Sequence, residues 1–284
     1  MLKTYYRLTK PGIIYGNALT LTGGFLLASK GHIDLITFLA VLVGAVLVIA
    51  SACVLNNYID RDIDKLMART EKRALAQGTI SGRAALSFAT VLGITGFVIL
   101  MIWTNRLTVI IGAIALIDYV VLYGYAKRHS WHGTLVGTVA GSAPIVAGYV
   151  AVTNSFDVGA LLLCLILATW QMAHFYAIAM YRTKDYKAAG IPVISVVKGM
   201  NITKLQIMCY IVASSLATAS LTGFGYTGIT FLLVMTALGT FWFWRGARTY
   251  ATAAADSWGR QMFGVSLIVL LGLSLMLSVG SQLP

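Results

Sequence analysis

Asn56 to Arg73 read N-N-Y-I-D-R-D-I-D-K-L-M-A-R-T-E-K-R, directly after an unbroken apolar run from Ile36 to Leu55. About 20 such residues cross a bilayer core as a helix, so the polar stretch begins where a membrane helix ends. Asn56, Asp60 and Asp64 are spaced i, i+4, i+8 and fall on one helix face about a turn apart, while Asp62 points elsewhere. The stretch holds four of the nine acids, Asp60, Asp62, Asp64 and Glu71, followed by Lys65, Arg69, Lys72 and Arg73. Carboxylate and amide oxygens suit a hard cation, and Mg²⁺ takes one or two carboxylates, waters and substrate phosphate oxygens rather than a full protein cage. Adjacent Lys and Arg add charge-assisted bonds to phosphate. A column of oxygens at a membrane surface therefore reads as a Mg²⁺–diphosphate site. A solvated, mixed-charge helix end is the plainer reading. The Asn, the cation cluster and the membrane setting weigh against it.

The rest of the chain supports the membrane setting. It has 284 residues, 58% hydrophobic and 11% charged, where a soluble domain carries about 25% charged residues. The pattern is that of an all-α polytopic membrane protein, a bundle of about nine transmembrane helices. The expected spans are 12–29, 36–56, 84–103, 107–125, 134–153, 158–180, 204–223, 228–246 and 259–279. These are helical lengths, unlike the roughly 10-residue alternating strands of a membrane barrel. With this division, all of the 21 Lys and Arg except Lys30 and Arg106 fall on one side. The positive-inside rule then places the N-terminus in the cytoplasm and the C-terminus outside. The net charge of +12 is thereby explained by topology and by anionic substrates or lipid headgroups, with no nucleic acid. Lys3, Arg7 and Lys10 before an apolar run imitate a signal peptide. Pro11 suits a helix start, and the run is taken as a retained first span. Cys53, Cys164 and Cys209 lie inside spans and read as small buried residues.

Two cytoplasmic loops, 57–83 and 181–203, are longer than a connection needs, and such loops are usually functional. They follow spans two and six, the spacing of a four-helix internal repeat. The whole chain, 1–284, is expected to be one domain with these loops as its active-site face. The second loop holds a single acid, Asp185, among Arg182, Lys184 and Lys187. Gln171 and His174 share a face near the end of span six. They fit either a substrate-binding pair or an interhelical hydrogen bond. Asp118 lies inside span four, and an intramembrane acid is by default a functional hypothesis. It fits a protonated or Tyr-paired interior residue equally well. Tyr176, Tyr181, Tyr186, Trp242, Trp244 and Trp258 read mostly as interfacial belt, with some available to line a cavity.

Taken together, these pieces resemble the UbiA superfamily of intramembrane prenyltransferases, in its branch that farnesylates protohaem IX. The resemblance runs over nearly the whole chain: T-K-P-G at 9–12, N-N-Y-I-D-R-D-I-D at 56–64, R-T-x-x-R at 69–73, K-R-H-S at 127–130, W-Q-M-x-H at 170–174 and D-Y-x-A-A-G-I-P at 185–192. It implies transfer of a farnesyl group from farnesyl diphosphate to a vinyl group of haem B. It implies Asn56, Asp60, Asp64 and Asp185 as catalytic and Mg²⁺-binding residues. Arg69, Arg73, Lys127, Arg128, Arg182 and Lys184 would hold diphosphate or haem propionates, and Gln171 and His174 would meet the haem. Asp185 stands alone where most of the superfamily has a second D-x-x-x-D, because position 181 is Tyr. Pro is usual in the branch where this chain has Ala74, Ala173 and Ser195. The implied setting is a bacterial inner membrane with the site facing the cytoplasm. The implied partners are both substrates, membrane lipid and downstream proteins of haem or terminal-oxidase assembly. Two other readings stay open. One is a prenyltransferase with a phenol or quinone-precursor acceptor, which calls for two full acidic motifs. The other is a transporter of an anionic lipid or metabolite, which calls for charge near the bilayer midplane.

Overall fold

The computed structural model describes residues 2–280. Among them, nine helices are long and apolar enough to cross a membrane: α1 (Pro11–Ser29), α2 (Leu35–Ile59), α3 (Gly82–Trp103), α4 (Arg106–His129), α5 (Gly133–Thr153), α6 (Val158–Tyr181), α7 (Gly199–Gly223), α8 (Ile229–Arg248) and α9 (Ala255–Gly280). Their number and order match the hydropathy reading. The start of α7 shifts most, and the start of α9 and the end of α4 shift next and equally; in each case polar but helix-compatible residues extend the helix.

Side chains close the exposed helix starts. Asp34 accepts from the amides of Ile36 and Thr37 at α2, Ser81 from Ala84 at α3, Asn105 from Thr108 at α4 and Asp157 from Ala160 at α6. Each such cap contributes about 1 kcal/mol. Asn105 also donates to the Val150 carbonyl at 2.7 Å, tying the start of α4 to the end of α5.

Helix pairing follows the expected repeat. The most extensive contacts are α2 on α3, α6 on α7 and α1 on α5. The third pair joins the halves, and glycine makes it possible. A Cβ on Gly24 would stand 2.1 Å from the Ile145 carbonyl oxygen, and one on Gly148 2.1 Å from that of Leu21. The two backbones therefore touch, as small residues permit within a membrane. The outer surface is apolar, with Val91, Ile94, Leu233 and Leu275 exposed. A patch of that extent belongs in lipid rather than water.

Some expectations change. Tyr176, Trp242 and Trp258 are core residues, at most 1% exposed, rather than interfacial belt. Cys209 is exposed, whereas Cys53 is buried. Asp118 is neither Tyr-paired nor at the cavity. It opens a π-helical stretch, Asp118–Leu122, and accepts a hydrogen bond from the Ala140 amide of α5 at 3.0 Å. Its carboxylate is a strut between two spans.

The long loops meet at one end of the bundle. Each is partly helical, at Arg61–Asp64, Thr183–Ala188 and Ile194–Val197. Ile63 and Met67 of the first loop pack with Ala189 and Ile191 of the second in a small buried cluster.

Candidate active site

The α2 helix ends at Ile59, and the turn Arg61–Asp64 follows at once. The oxygen column survives the junction. Asn56 is 3% exposed, and Asp60 and Asp64 are each 1% exposed. All three line a cavity of about 560 Å³ that is also lined by Gln171 and His174 of α6. Ligand sites commonly enclose about 300–1,000 Å³.

Buried carboxylates require partners, and these have them. Lys127 Nζ lies 2.6 Å from Asp60 Oδ2, and Arg73 Nη1 donates to both Asp64 oxygens at 2.8 and 3.0 Å. Asn56 Nδ2 donates to Asp60 Oδ2 at 3.0 Å, and Asn56 Oδ1 accepts from Lys10 Nζ at 2.6 Å. Loss of hydration pulls Lys10 down to about 8. Asp60 Oδ1 is the exception. It is buried without a hydrogen bond; Arg128 Nη2 stands 3.5 Å away, an ion-pair distance that lacks hydrogen-bond geometry.

That orphaned oxygen is the test of fit for a metal. The column offers only oxygens, one of them unpartnered, with cations lying where a divalent ion's charge would act. Among the described residues no group of three or more His, Cys, Asp or Glu forms a self-sufficient cage. Mg²⁺ does not need one, since phosphate and water complete its shell. The residues fit Mg²⁺.

The other expected residues divide. Arg69 and Arg182 line the cavity. Arg128 does not. It is forked onto Asp62 at 2.8 Å through each Nη and also donates to the Ile59 carbonyl, and its guanidinium holds Asp62 down to about 2. Asp185 makes a loose 3.7 Å ion pair with Arg182, and no hydrogen bond or ion pair joins it to Asn56, Asp60 or Asp64. Lys184 is exposed and, like Asp185, is absent from the cavity lining.

On α6, His174 resolves the open choice both ways. Its Nδ1 is 2.7 Å from Ser266 Oγ of α9, and that hydroxyl donates to the Phe263 carbonyl at 2.6 Å. The serine has one proton and has spent it, so it accepts from Nδ1–H. The Nε2 nitrogen is then the acceptor of the neutral ring, and His174 lines the cavity. Gln171 donates to its own helix at Leu167. It occupies the space over Gly141, where a Cβ would fall 1.7 Å from Gln171 Oε1.

Lys10, Tyr119 and Tyr123 were not expected at the site. Lys10 adopts a left-handed backbone, φ 55°, between two helices. Its only sequence signal was the T-K-P-G element. The tyrosine rings stack at 5.5 Å and line the cavity, Tyr119 within the π-helical stretch and Tyr123 just after it. No spacing rule reveals a π turn.

Comparison with known proteins bears on the family and the fold. The model of the UbiA prenyltransferase family matches residues 17–270. The chain is 50% identical over 280 residues to the protoheme IX farnesyltransferase of Serratia proteamaculans, covering 98% of this chain and 95% of that protein. It is 49% identical over 285 residues to the protoheme IX farnesyltransferase of Klebsiella pneumoniae, covering 100% and 97%. Among solved structures, a digeranylgeranylglyceryl phosphate synthase superposes with a TM-score of 0.80 at 20% identity, covering 99% and 98% of the two chains. A UbiA homolog from Archaeoglobus fulgidus bound to GPP and Mg²⁺ superposes with a TM-score of 0.70 at 13% identity, covering 97% and 99%.

Proposed function

The chain belongs to the UbiA prenyltransferase family, and from that premise we propose that it transfers a farnesyl group from farnesyl diphosphate to a vinyl group of haem B, giving haem O and diphosphate. The observation that carries the reading is the shared cavity, lined both by the buried column of Asn56, Asp60 and Asp64 and by His174. Near-50% identity over the full length to protoheme IX farnesyltransferases supports the acceptor. Charge gathered at one end of the bundle, with Asp118 tied to a backbone amide, speaks against a transporter.

In this reading Asn56, Asp60 and Asp64 hold Mg²⁺, with Asp60 Oδ1 free to ligate. Bound Mg²⁺ would supply Lewis-acid neutralisation of the diphosphate. Lys127 and Arg73 then turn from the carboxylates, and Lys10 from the Asn56 amide oxygen, to the leaving diphosphate oxygens, with Arg69 beside them. Charge that grows on the leaving group is thus met by groups already in place. As the allylic C–O bond breaks, the vinyl carbon bonds to C1 of the farnesyl group. Water adds to the resulting cation and loses a proton, which leaves the hydroxyethylfarnesyl side chain. Apolar side chains such as Val48, Leu116 and Leu270 exclude stray water and receive the prenyl tail. Arg128 stays on Asp62 and holds the loop. Asp185 is assigned to orient Arg182 rather than to bind metal.

The protein is an integral membrane protein. The proposal extends this to a bacterial inner membrane with the cavity mouth in the cytoplasm. Its product would pass to proteins of haem or terminal-oxidase assembly. Purified protein given haem B, farnesyl diphosphate and Mg²⁺ should yield a farnesylated haem by mass spectrometry. The product should vanish with EDTA and in Asp60→Ala and Asp64→Ala. Diphosphate release without any change in the haem would sink the choice of acceptor.

A further inference from the structure

The α6–α9 wall carries a graded series of rings that the chemistry above does not use. Deepest is Trp170, whose Nε1 donates to the Ser266 carbonyl at 2.9 Å and whose ring stacks on His174 at 4.7 Å. His174 meets Phe263 at 4.9 Å, and Phe263 meets Tyr181 at 5.8 Å. All four rings line the cavity. At the end of the series two guanidinium groups lie over the Tyr181 ring, Arg260 at 5.0 Å and Arg182 at 5.4 Å from its centroid. Both distances lie within the roughly 6 Å reach of a cation–π contact. Arg260 is exposed, stands just outside the cavity lining beside Tyr181, and forms no ion pair among the described residues. The carboxylate nearest Arg182 is 3.7 Å away.

A cavity wall of aromatic side chains, stacked, tilted and edge-on to one another and ending in two cations, suits a flat, aromatic ligand with carboxylates along one edge. The diphosphate does not need these cations, because Lys10, Arg73 and Lys127 already stand at the oxygen column. We propose that Arg260, together with Arg182, is the carboxylate clamp of the acceptor subsite, with Tyr181 as the platform that sets both guanidinium planes. The assignment deepens the haem B reading and rests on it, since haem B carries two propionates on one edge. With the propionates at the mouth, the opposite edge and its vinyl groups point inward. The clamp therefore decides which part of the acceptor meets the farnesyl carbon. Arg260 is a specificity-determining residue, and Tyr181 acts through it as a positioning residue.

The test is direct binding, read by absorbance titration of the purified full chain with haem B and with haem B dimethyl ester. Wild type should bind the acid about tenfold more tightly than the ester, the size expected for charge-assisted bonds at a partly exposed site. Arg260→Gln should weaken the acid about tenfold and leave the ester unchanged, while Arg260→Lys should recover part of the loss. Unchanged farnesyl diphosphate affinity in each variant shows that the fold is intact. Equal affinity of wild type for acid and ester overturns the clamp. So does an Arg260→Gln loss that is the same for both ligands, which would mark Arg260 as a structural or lipid-facing residue. Binding and turnover separate the two claims. If wild type discriminates acid from ester yet never farnesylates haem, the clamp stands and the proposed reaction falls.

Discussion

Asp60 concentrates the electrostatics of the site in one side chain. It is 1% exposed, with Lys127 at 2.6 Å on one oxygen and no hydrogen bond on the other. Removing one partner of a buried pair costs about 3–5 kcal/mol, because the surviving charge is left without compensation. Arg128 at 3.5 Å offsets part of this, so Lys127→Met should destabilise by about 3 kcal/mol, the low end of that range. The expected reading is a lower Tm in detergent without metal, with more recovery on adding MgCl₂ than wild type shows. Equal Mg²⁺ response in the two proteins would argue against a metal at Asp60. At this scale the sequence was partly legible. Asn56, Asp60 and Asp64 could be read because helical period alone puts them on one face. Lys10 could not, because its role depends on a left-handed backbone and on a contact 46 residues away. Arg128 was read as a substrate ligand, but Asp62 holds it elsewhere, a pairing 66 residues apart that no local pattern encodes.

At the level of elements, the α1–α5 crossing is the least forgiving contact. A side chain at Gly148 would have to enter the space of the Leu21 carbonyl, so the helices must part. Gly148→Leu should lose most of the folded protein after detergent extraction, since overpacking typically costs about 1–3 kcal/mol and backbone contact leaves no rotamer to yield. Gly264 of α9 has open space about its missing Cβ, and Gly264→Ala should be neutral or stabilise by up to about 1 kcal/mol. Size-exclusion profiles of the two variants decide the matter; equal recovery would refute the tight crossing. Hydropathy located these helices well, because lipid demands long apolar runs. It located their ends less well at α7 and α9, where polar residues continue the helix beyond the apolar run. It also misassigned Tyr176, Trp242 and Trp258, since an aromatic near a span end looks the same in sequence whether it faces lipid or the core.

For the whole molecule, nine crossings by the helices of the described residues would leave the two ends of the bundle on opposite sides of the membrane. The proposed topology, argued from the charge asymmetry, has the N-terminal side in the cytoplasm. A fluorescent protein fused at the N-terminus should fluoresce, and alkaline phosphatase fused at the C-terminus should be active. The reverse pattern would move the cavity mouth out of the cytoplasm and away from the expected source of farnesyl diphosphate.

The pairing of α2 with α3 and of α6 with α7 has a consequence in parity. A unit of four crossings is even, so a second copy joined behind the first re-enters the bilayer from the same side. Its loop after the second helix must emerge beside the loop of the first copy, where Ile63 and Ile191 now share a cluster. A unit of three or five crossings would have inverted the copy and stranded its loop across the membrane. The chemistry is divided across that shared face: the first loop carries Asp60 and Asp64, and the second carries Asp185 beside Arg182.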